Sequence, residues 1–175
     1  MFMIKKTPEA SASGVFFIMN IFYLDPDPKL AAQYQCDRHV VKMTLETAQL
    51  LCSAYPMGDA PYKTTHYNHP CAVWTRQSAE NYIWLLEHGA ALASEYTARY
   101  GKTHKSSEVI EWCATNALRV CFTGKGWNEP PQCMPGEYQR YHTVNAYRAY
   151  YRGAKKSFAT WKPPAEVPAW WTETP

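Results

Sequence analysis

An imidazole, an ammonium and a carboxylate share one narrow line of a helix in the stretch Asp37–Cys52. With His39 at zero and about 100° per residue, Glu46 falls at about 340°, Lys42 at about 300° and Gln49 at about 280°. Met43 and Leu50 flank this stripe, while Val40, Val41, Leu45, Ala48, Leu51 and Cys52 fill the arc from about 100° to about 240°. A carboxylate beside apolar neighbours can act as a general base or stabilise a developing positive charge. The same spacing suits an ordinary exposed face with a Lys42–Glu46 pair worth a few tenths of a kcal/mol. Spacing alone leaves both readings open.

Helices must carry these groups. Asp27 is a candidate N-cap and Pro28 a suitable first helical residue, so a helix is predicted from Pro28 to about Ala54, with a break near Gln35–Asp37. An apolar run, Asn20–Leu24, suited to a short strand or to a buried entry segment, precedes it and ends at the turn Asp25-Pro26-Asp27-Pro28. A second long helix is predicted from Ala72 to Tyr100, closed by Gly101, a third over Ser107–Val120 and a last over Val144–Trp161. Tyr55–Pro70 and Phe122–Gly136 read as irregular, and Lys162–Pro175, with four prolines, as an extended tail. The expected fold is all-α: a compact helical bundle over 19–165, with a loose leader over 1–18 and a tail over 166–175.

The 175 residues fit one domain, and 46% hydrophobic residues suffice for a core. Six cysteines without a CxxC pair read as reduced core thiols. No run reaches the ~18 apolar residues that span a bilayer, and the N-terminus lacks the marks of a secretory signal. A cytoplasmic, monomeric protein without membrane association or cofactor is expected.

The net charge of +3 by itself says little about partners, but its distribution is uneven. From Arg140 to Lys162 the chain holds six Lys/Arg and no acid, interleaved with tyrosines. That pattern suits phosphate neutralisation and base stacking by Arg148, Tyr150, Arg152, Lys155 and Lys156. It equally suits a solvated basic helix with core tyrosines. The loop Tyr62–Pro70 adds Lys63 and His66 as phosphate contacts. His66, His69 and Cys71 match no common zinc spacing, and no metal is expected.

Two motifs together resemble the pyrimidine-dimer DNA glycosylase (bacteriophage endonuclease V) family and its looser bacterial and phage relatives. Asp37-Arg38-His39, six residues and Glu46 is similar to the family's Asp-x-His-x6-Glu helix. Tyr147-Arg148-Ala149-Tyr150-Tyr151-Arg152-Gly153-Ala154-Lys155 is similar to its Tyr-Lys-Tyr-Tyr-Gly-Lys segment. The resemblance implies an all-α enzyme that flips a nucleotide out of double-stranded DNA carrying a damaged or modified base. It implies Glu46 as the catalytic carboxylate, His39 as a DNA contact near the target, and an N-terminal α-amine as nucleophile, with AP-lyase activity following from the imine. The family-like start is Met19-Asn20, which makes Asn20 the candidate amine residue and Lys42 a second imine-forming candidate.

The family's arginines around the glutamate are absent. Leu45 precedes Glu46 and Gln49, a DNA-contact candidate on the same stripe, stands three residues on, leaving Arg38, Lys42 and Arg76 as the substitutes. A phage-type transferase that modifies bases on the same scaffold and a non-enzymatic DNA-binding module are the alternative readings.

Overall fold

The computed structural model describes residues 19–172. Among them the fold is all-α, with no strands. The expected leader over 1–18 and the last three residues of the tail lie outside the described residues.

The described residues open with the extended, buried segment Met19–Leu24, whose residues are at most 5% exposed. Asp27 then caps α1 (Pro28–Gln33) by accepting from the amides of Lys29 and Leu30, with Pro28 in the first turn, an arrangement that stabilises a helix by roughly 1 kcal/mol. After the expected break comes α2 (Asp37–Cys52). The predicted Ala72–Tyr100 helix is in fact two, α3 (Pro70–Thr75) and α4 (Ala79–Tyr100). The break has a local cause. Ser78 accepts from the Asn81 amide and caps α4, while the Asn81 side chain donates to the Trp74 carbonyl at the end of α3.

Next, α5 (Ser107–Thr115) stops short of the predicted Val120 and gives way to a single 3-10 turn, Ala117–Arg119. Residues 122–136 are irregular, as expected, apart from the start of the short turn Gly136–Tyr138. The predicted Val144–Trp161 helix is shorter: α6 (Thr143–Tyr150) runs into a π turn, Tyr151–Lys155. Gly153 in that turn lies so close to the Tyr138 ring that an added Cβ would come within 2.4 Å of it.

The tail is less free than its composition suggests. It ends in a short α7 (Ala169–Thr172) whose Trp170 is buried against Tyr151 and Tyr34. The Trp161 indole donates to the Tyr34 carbonyl, and Thr160 and Lys162 bind the Asp37 carboxylate.

Helix α4 is the backing plate, packing against both α1 and α2. Gly89 permits the approach to α2, because a Cβ there would meet the Thr47 methyl at 2.8 Å. At the far end of α4, the guanidinium of Arg99, with no exposed surface, ties the α1–α2 corner together. It donates to the carbonyls of Gln33 and Gln35 and to the carboxylates of Asp37 and Glu95. A buried cation is tolerated only when so paired, and removing one partner would cost about 3–5 kcal/mol. Asp37 thus fixes the start of α2, the helix that carries Glu46.

All six cysteines are unpaired, five of them buried. Among the described residues no helix is long and apolar enough to cross a membrane.

Candidate active site

The Glu46 carboxylate is buried, 5% exposed, on the face of α2 covered by the Met19–Leu24 segment. One oxygen accepts the backbone N–H of Asn20 at 3.1 Å. The other meets the Lys42 ammonium at 3.1 Å, and the lysine side chain itself remains 61% exposed. Burial raises the Glu46 pKa above the ordinary carboxylate value, with Lys42, the Asn20 amide and the nearby His66 opposing it. Such a group takes up a proton more readily than a solvated carboxylate.

Asn20 presents its nitrogen to Glu46 because its side chain shapes the chain around it. The side-chain oxygen accepts from the amides of Ile21 and Phe22, and Phe22 adopts a left-handed φ of 55°. The side-chain nitrogen donates to the Cys133 carbonyl at 2.8 Å, anchoring the turn to the irregular segment.

Two turns back along α2, His39 sits in an aromatic box. Phe22 stacks on its ring at 4.2 Å, Phe158 meets its edge, and the Tyr151 hydroxyl hydrogen-bonds Nδ1. Burial first, then Lys155 and Lys42, push its pKa down to about 3. The imidazole is therefore neutral at pH 7.

Of the two readings left open by the spacing, the desolvated one holds for His39 and Glu46, which are turned inward, while Lys42 stays exposed and Gln49 half-buried. The buried arc of α2 runs from Glu46 through His39, Leu50 and Met43 to Ala48 and Cys52, so it takes in most of the predicted apolar face and extends past it over His39 and Glu46. Val41 and Leu45, expected inside, are each 40% exposed. The cause is coverage: the 19–24 segment and the π turn lie over the polar stripe, and the hydrogen bonds of Asn20 and Tyr151 satisfy it.

The remaining candidates divide into groups. His66, with φ of 52°, and Lys63 lie exposed on the loop, and His66 is close enough to bear on Glu46. Arg76 is occupied: it stacks 3.7 Å over the Tyr67 ring and donates to the Tyr67 carbonyl. Gln49 is half-buried on α2.

At the His39 end, Lys155 donates to the Tyr150 hydroxyl and lies over the Tyr150 and Phe22 rings, while Arg38 lies over Phe158. Lys156 is exposed. Arg148 differs from expectation, since it pairs with Asp25, donates to the Leu24 carbonyl and lies between Tyr34 and Trp170. Arg152 donates to the Trp170 carbonyl. Both arginines are occupied in holding the 19–25 segment or the tail.

The structure therefore brings Asn20, Lys42, Glu46 and His66 together, and separately His39, Tyr150, Lys155 and Arg38. Sequence reasoning missed Phe22, Tyr151, Arg99 and Cys133. Tyr147 and Tyr151 are both fully buried, and their i,i+4 spacing was a signal that they share a core face. Nothing in the sequence pointed to Cys133.

The family model described as pyrimidine dimer DNA glycosylase matches residues 19–108. That span opens at the segment presenting Asn20 and includes Asp37, His39, Glu46 and the 62–70 loop. No curated protein and no solved structure matches the chain.

Proposed function

The chain belongs to the pyrimidine dimer DNA glycosylase family, and on that premise we propose that it excises a damaged or modified pyrimidine from duplex DNA, with Glu46 as its catalytic carboxylate. One observation carries this reading: a buried carboxylate of raised pKa lies 3.1 Å from the nitrogen of residue 20. When Asn20 is the first residue, that nitrogen is an α-amine, with an ordinary pKa of about 8 and a usable neutral fraction at pH 7.

The amine lone pair forms a bond to the sugar C1′ as the bond from C1′ to the base breaks, and the departing base takes a proton from solvent. Glu46 takes the proton that the attacking nitrogen sheds and passes it to the ring oxygen as the sugar opens to an iminium. Loss of a C2′ proton to solvent then expels the 3′ phosphate and cuts the strand. When residue 19 is still attached, the same nitrogen is a peptide amide and cannot attack. Glu46 then activates a water, and the base is released without strand scission. The target nucleotide must leave the stack, which costs a few kcal/mol and least at a damaged base. Lys63, His66 and Lys156 are the exposed groups proposed to hold the phosphates, with Lys155, Tyr150 and Arg38 at the His39 end.

A second amine reading has its own support, because the Lys42 ammonium lies 3.1 Å from the other Glu46 oxygen.

Borohydride trapping separates these routes, using duplex DNA with a dimer, an abasic site or 5-hydroxymethyluracil. The proteins compared begin at residue 1, at Met19 and, released from a cleavable fusion, at Asn20. The expected result is an adduct from the Asn20-first protein that survives Lys42→Arg and is lost with Glu46→Gln. An adduct from every form that disappears with Lys42→Arg assigns the nucleophile to Lys42. Base release without any adduct makes the reaction hydrolytic. No release from any of these substrates overturns the glycosylase reading.

A further inference from the structure

Beside Asn20, three metal-ligating side chains meet that the proposed base excision does not use. His69 and Cys71 come from the start of α3, and Cys133 from the irregular segment 62 residues later. Their donor atoms all lie within 4.8 Å of one another. His66, the nearer candidate by sequence, is not among them.

The spacing of the sulfurs is informative. Cys71 Sγ and Cys133 Sγ are 3.6 Å apart. A disulfide would need about 2.05 Å. Two thiolates on one tetrahedral zinc, each with a Zn–S bond of about 2.3 Å, stand about 3.8 Å apart. The pair is therefore no disulfide and stands within about 0.2 Å of the separation a shared metal requires; what sets it apart from an ordinary thiol contact is the imidazole of His69 beside it.

The cysteine from the irregular segment is also held in advance. The Cys133 amide donates to the Tyr147 hydroxyl at 3.3 Å and its carbonyl accepts the Asn20 side chain at 2.8 Å. Tyr147 in turn donates to the Pro131 carbonyl at 2.7 Å. Cys71 and Cys133 are 0% and 4% exposed, so the sulfurs face no bulk water, and the half-buried His69 gives the approach from outside.

The other close thiol pair, Cys52 and Cys113, makes a useful contrast. Its sulfurs are 3.9 Å apart, but among the described residues no histidine or carboxylate joins them. Their polar neighbours are the hydroxyls of Tyr55 and Tyr82, which point to the Cys113 carbonyl.

We propose that His69, Cys71 and Cys133 bind a thiophilic divalent cation, Zn2+ foremost, which ties the irregular segment to α3. Two thiolates and an imidazole suit Zn2+ over hard cations, and binding releases the two thiol protons to solvent. A fourth position remains for water. The consequence for the reaction is positional: the metal fixes Cys133, whose carbonyl holds the Asn20 side chain, and Asn20 meets Glu46 through its amide. The site rests on no part of the glycosylase reading.

The test uses the full chain, kept reduced, stripped with a chelator and titrated with Co2+. The expected result is a thiolate-to-cobalt charge-transfer band that saturates at equimolar metal and is displaced by Zn2+. Cys133→Ser and His69→Asn should weaken binding by more than the roughly 10–100-fold that loss of an outer-shell partner costs, while Cys52→Ser leaves the band intact. His69 Nδ1 accepts the Cys71 amide and caps α3; His69→Asn retains a capping acceptor on a half-buried side chain, so it reports on the metal even where a cysteine variant fails to fold. Zn2+ should also raise the melting temperature of the wild type and not of Cys133→Ser. A folded, fully reduced protein without the band, or a band that survives both Cys133→Ser and His69→Asn, overturns the proposal. So does oxidation of Cys71 and Cys133 to a disulfide by diamide in a protein that binds no metal.

Discussion

The two ends of the polar stripe on α2 sit on one helix, under one covering segment, and are built for opposite ends. At Glu46 the covering chain offers a backbone N–H and leaves the carboxylate next to an exposed lysine. At His39 it offers an aromatic face, and the π turn closes the other side with Tyr151. Both groups are desolvated, yet burial acts on them with opposite sign. It raises the Glu46 pKa and lowers that of His39 to about 3, in each case favouring the neutral form. A carboxylate so treated gains proton affinity over an ordinary one and lies beside the exposed Lys42. An imidazole so treated loses its acid–base range and becomes a rigid wall. Under the proposed function the stripe therefore holds one reactive position, Glu46, and one architectural position, His39, two helical turns apart.

The sharpest way to break this comparison is Glu46→Gln. The glutamine oxygen still accepts the Asn20 N–H, and the lysine left behind is well solvated, so the fold should hold. Base release in single turnover should fall by about 10²–10⁴-fold, the usual worth of a positioned acid–base group, with melting temperature little changed. In the wild type the rate should rise with pH through an apparent pKa above the ordinary carboxylate value, because the charged form is the working form. A Glu46→Gln protein of wild-type rate would make both ends of the stripe architectural.

A smaller effect sharpens the contrast from the other end. His39 has a depressed folded pKa, so its contribution to stability is complete above about pH 6.5 and is lost as pH falls toward 3. The slope is at most about 1.4 kcal/mol per pH unit for each proton. His88, fully buried and pushed down to about 4, adds to the same acid slope. Glu46 runs the other way. Its raised folded pKa gives stability that is present below the unfolded value and is lost as pH rises through the folded one. Denaturant midpoints measured from pH 7 to pH 4 should therefore fall less steeply for His39→Phe and more steeply for Glu46→Gln. At pH 7 the His39→Phe protein should be less stable by about 1–3 kcal/mol, because the buried Tyr151 hydroxyl loses its imidazole partner. Equal acid slopes in all three proteins would remove the distinction between the two positions.

The same stripe shows how far the sequence could be read. Helix identity, the Asp27 cap, the break before Asp37 and the grouping of His39, Lys42 and Glu46 were all local patterns, and local patterns survive in the fold. The orientation of α2 was not local. It depends on Asn20 and Tyr151, which lie 26 residues from Glu46 and 112 from His39, and hydrogen bonds over such separations leave no periodic trace. For that reason the helical wheel could not decide whether the polar stripe was covered, and it placed Val41 and Leu45 inside, where the fold leaves each of them 40% exposed. The split of the Ala72–Tyr100 helix was hidden differently. Ser78 and Asn81 form a cap that looks like ordinary helix surface until the Trp74 carbonyl is known to need a donor. The metal-ligating triad needed Cys133, placed by Tyr147 and Asn20, neither of which is its neighbour in sequence.

The basic C-terminal stretch repeats the contrast between reactive and architectural positions at a smaller scale. Arg148 and Lys156 are eight residues apart and equally cationic by sequence. Arg148 is bound on every side, by Asp25, the Leu24 carbonyl, Tyr34 and Trp170, whereas Lys156 is exposed. A lysine that contacts phosphate should contribute to the affinity and to its salt dependence, alike for every DNA sequence, and not to the fold. Lys156→Ala should therefore reduce the slope of log affinity against log salt by about one, uniformly across DNA sequences, and leave the melting temperature where it was. Arg148→Ala should do the reverse. It frees Asp25 and loosens the segment that presents Asn20, so the melting temperature falls while the salt slope stays. Filter binding at several salt concentrations beside thermal melts reads both. If Arg148→Ala changed the salt slope and Lys156→Ala did not, the DNA path would run over the Trp170 face, and the exposed lysine would be surface charge alone.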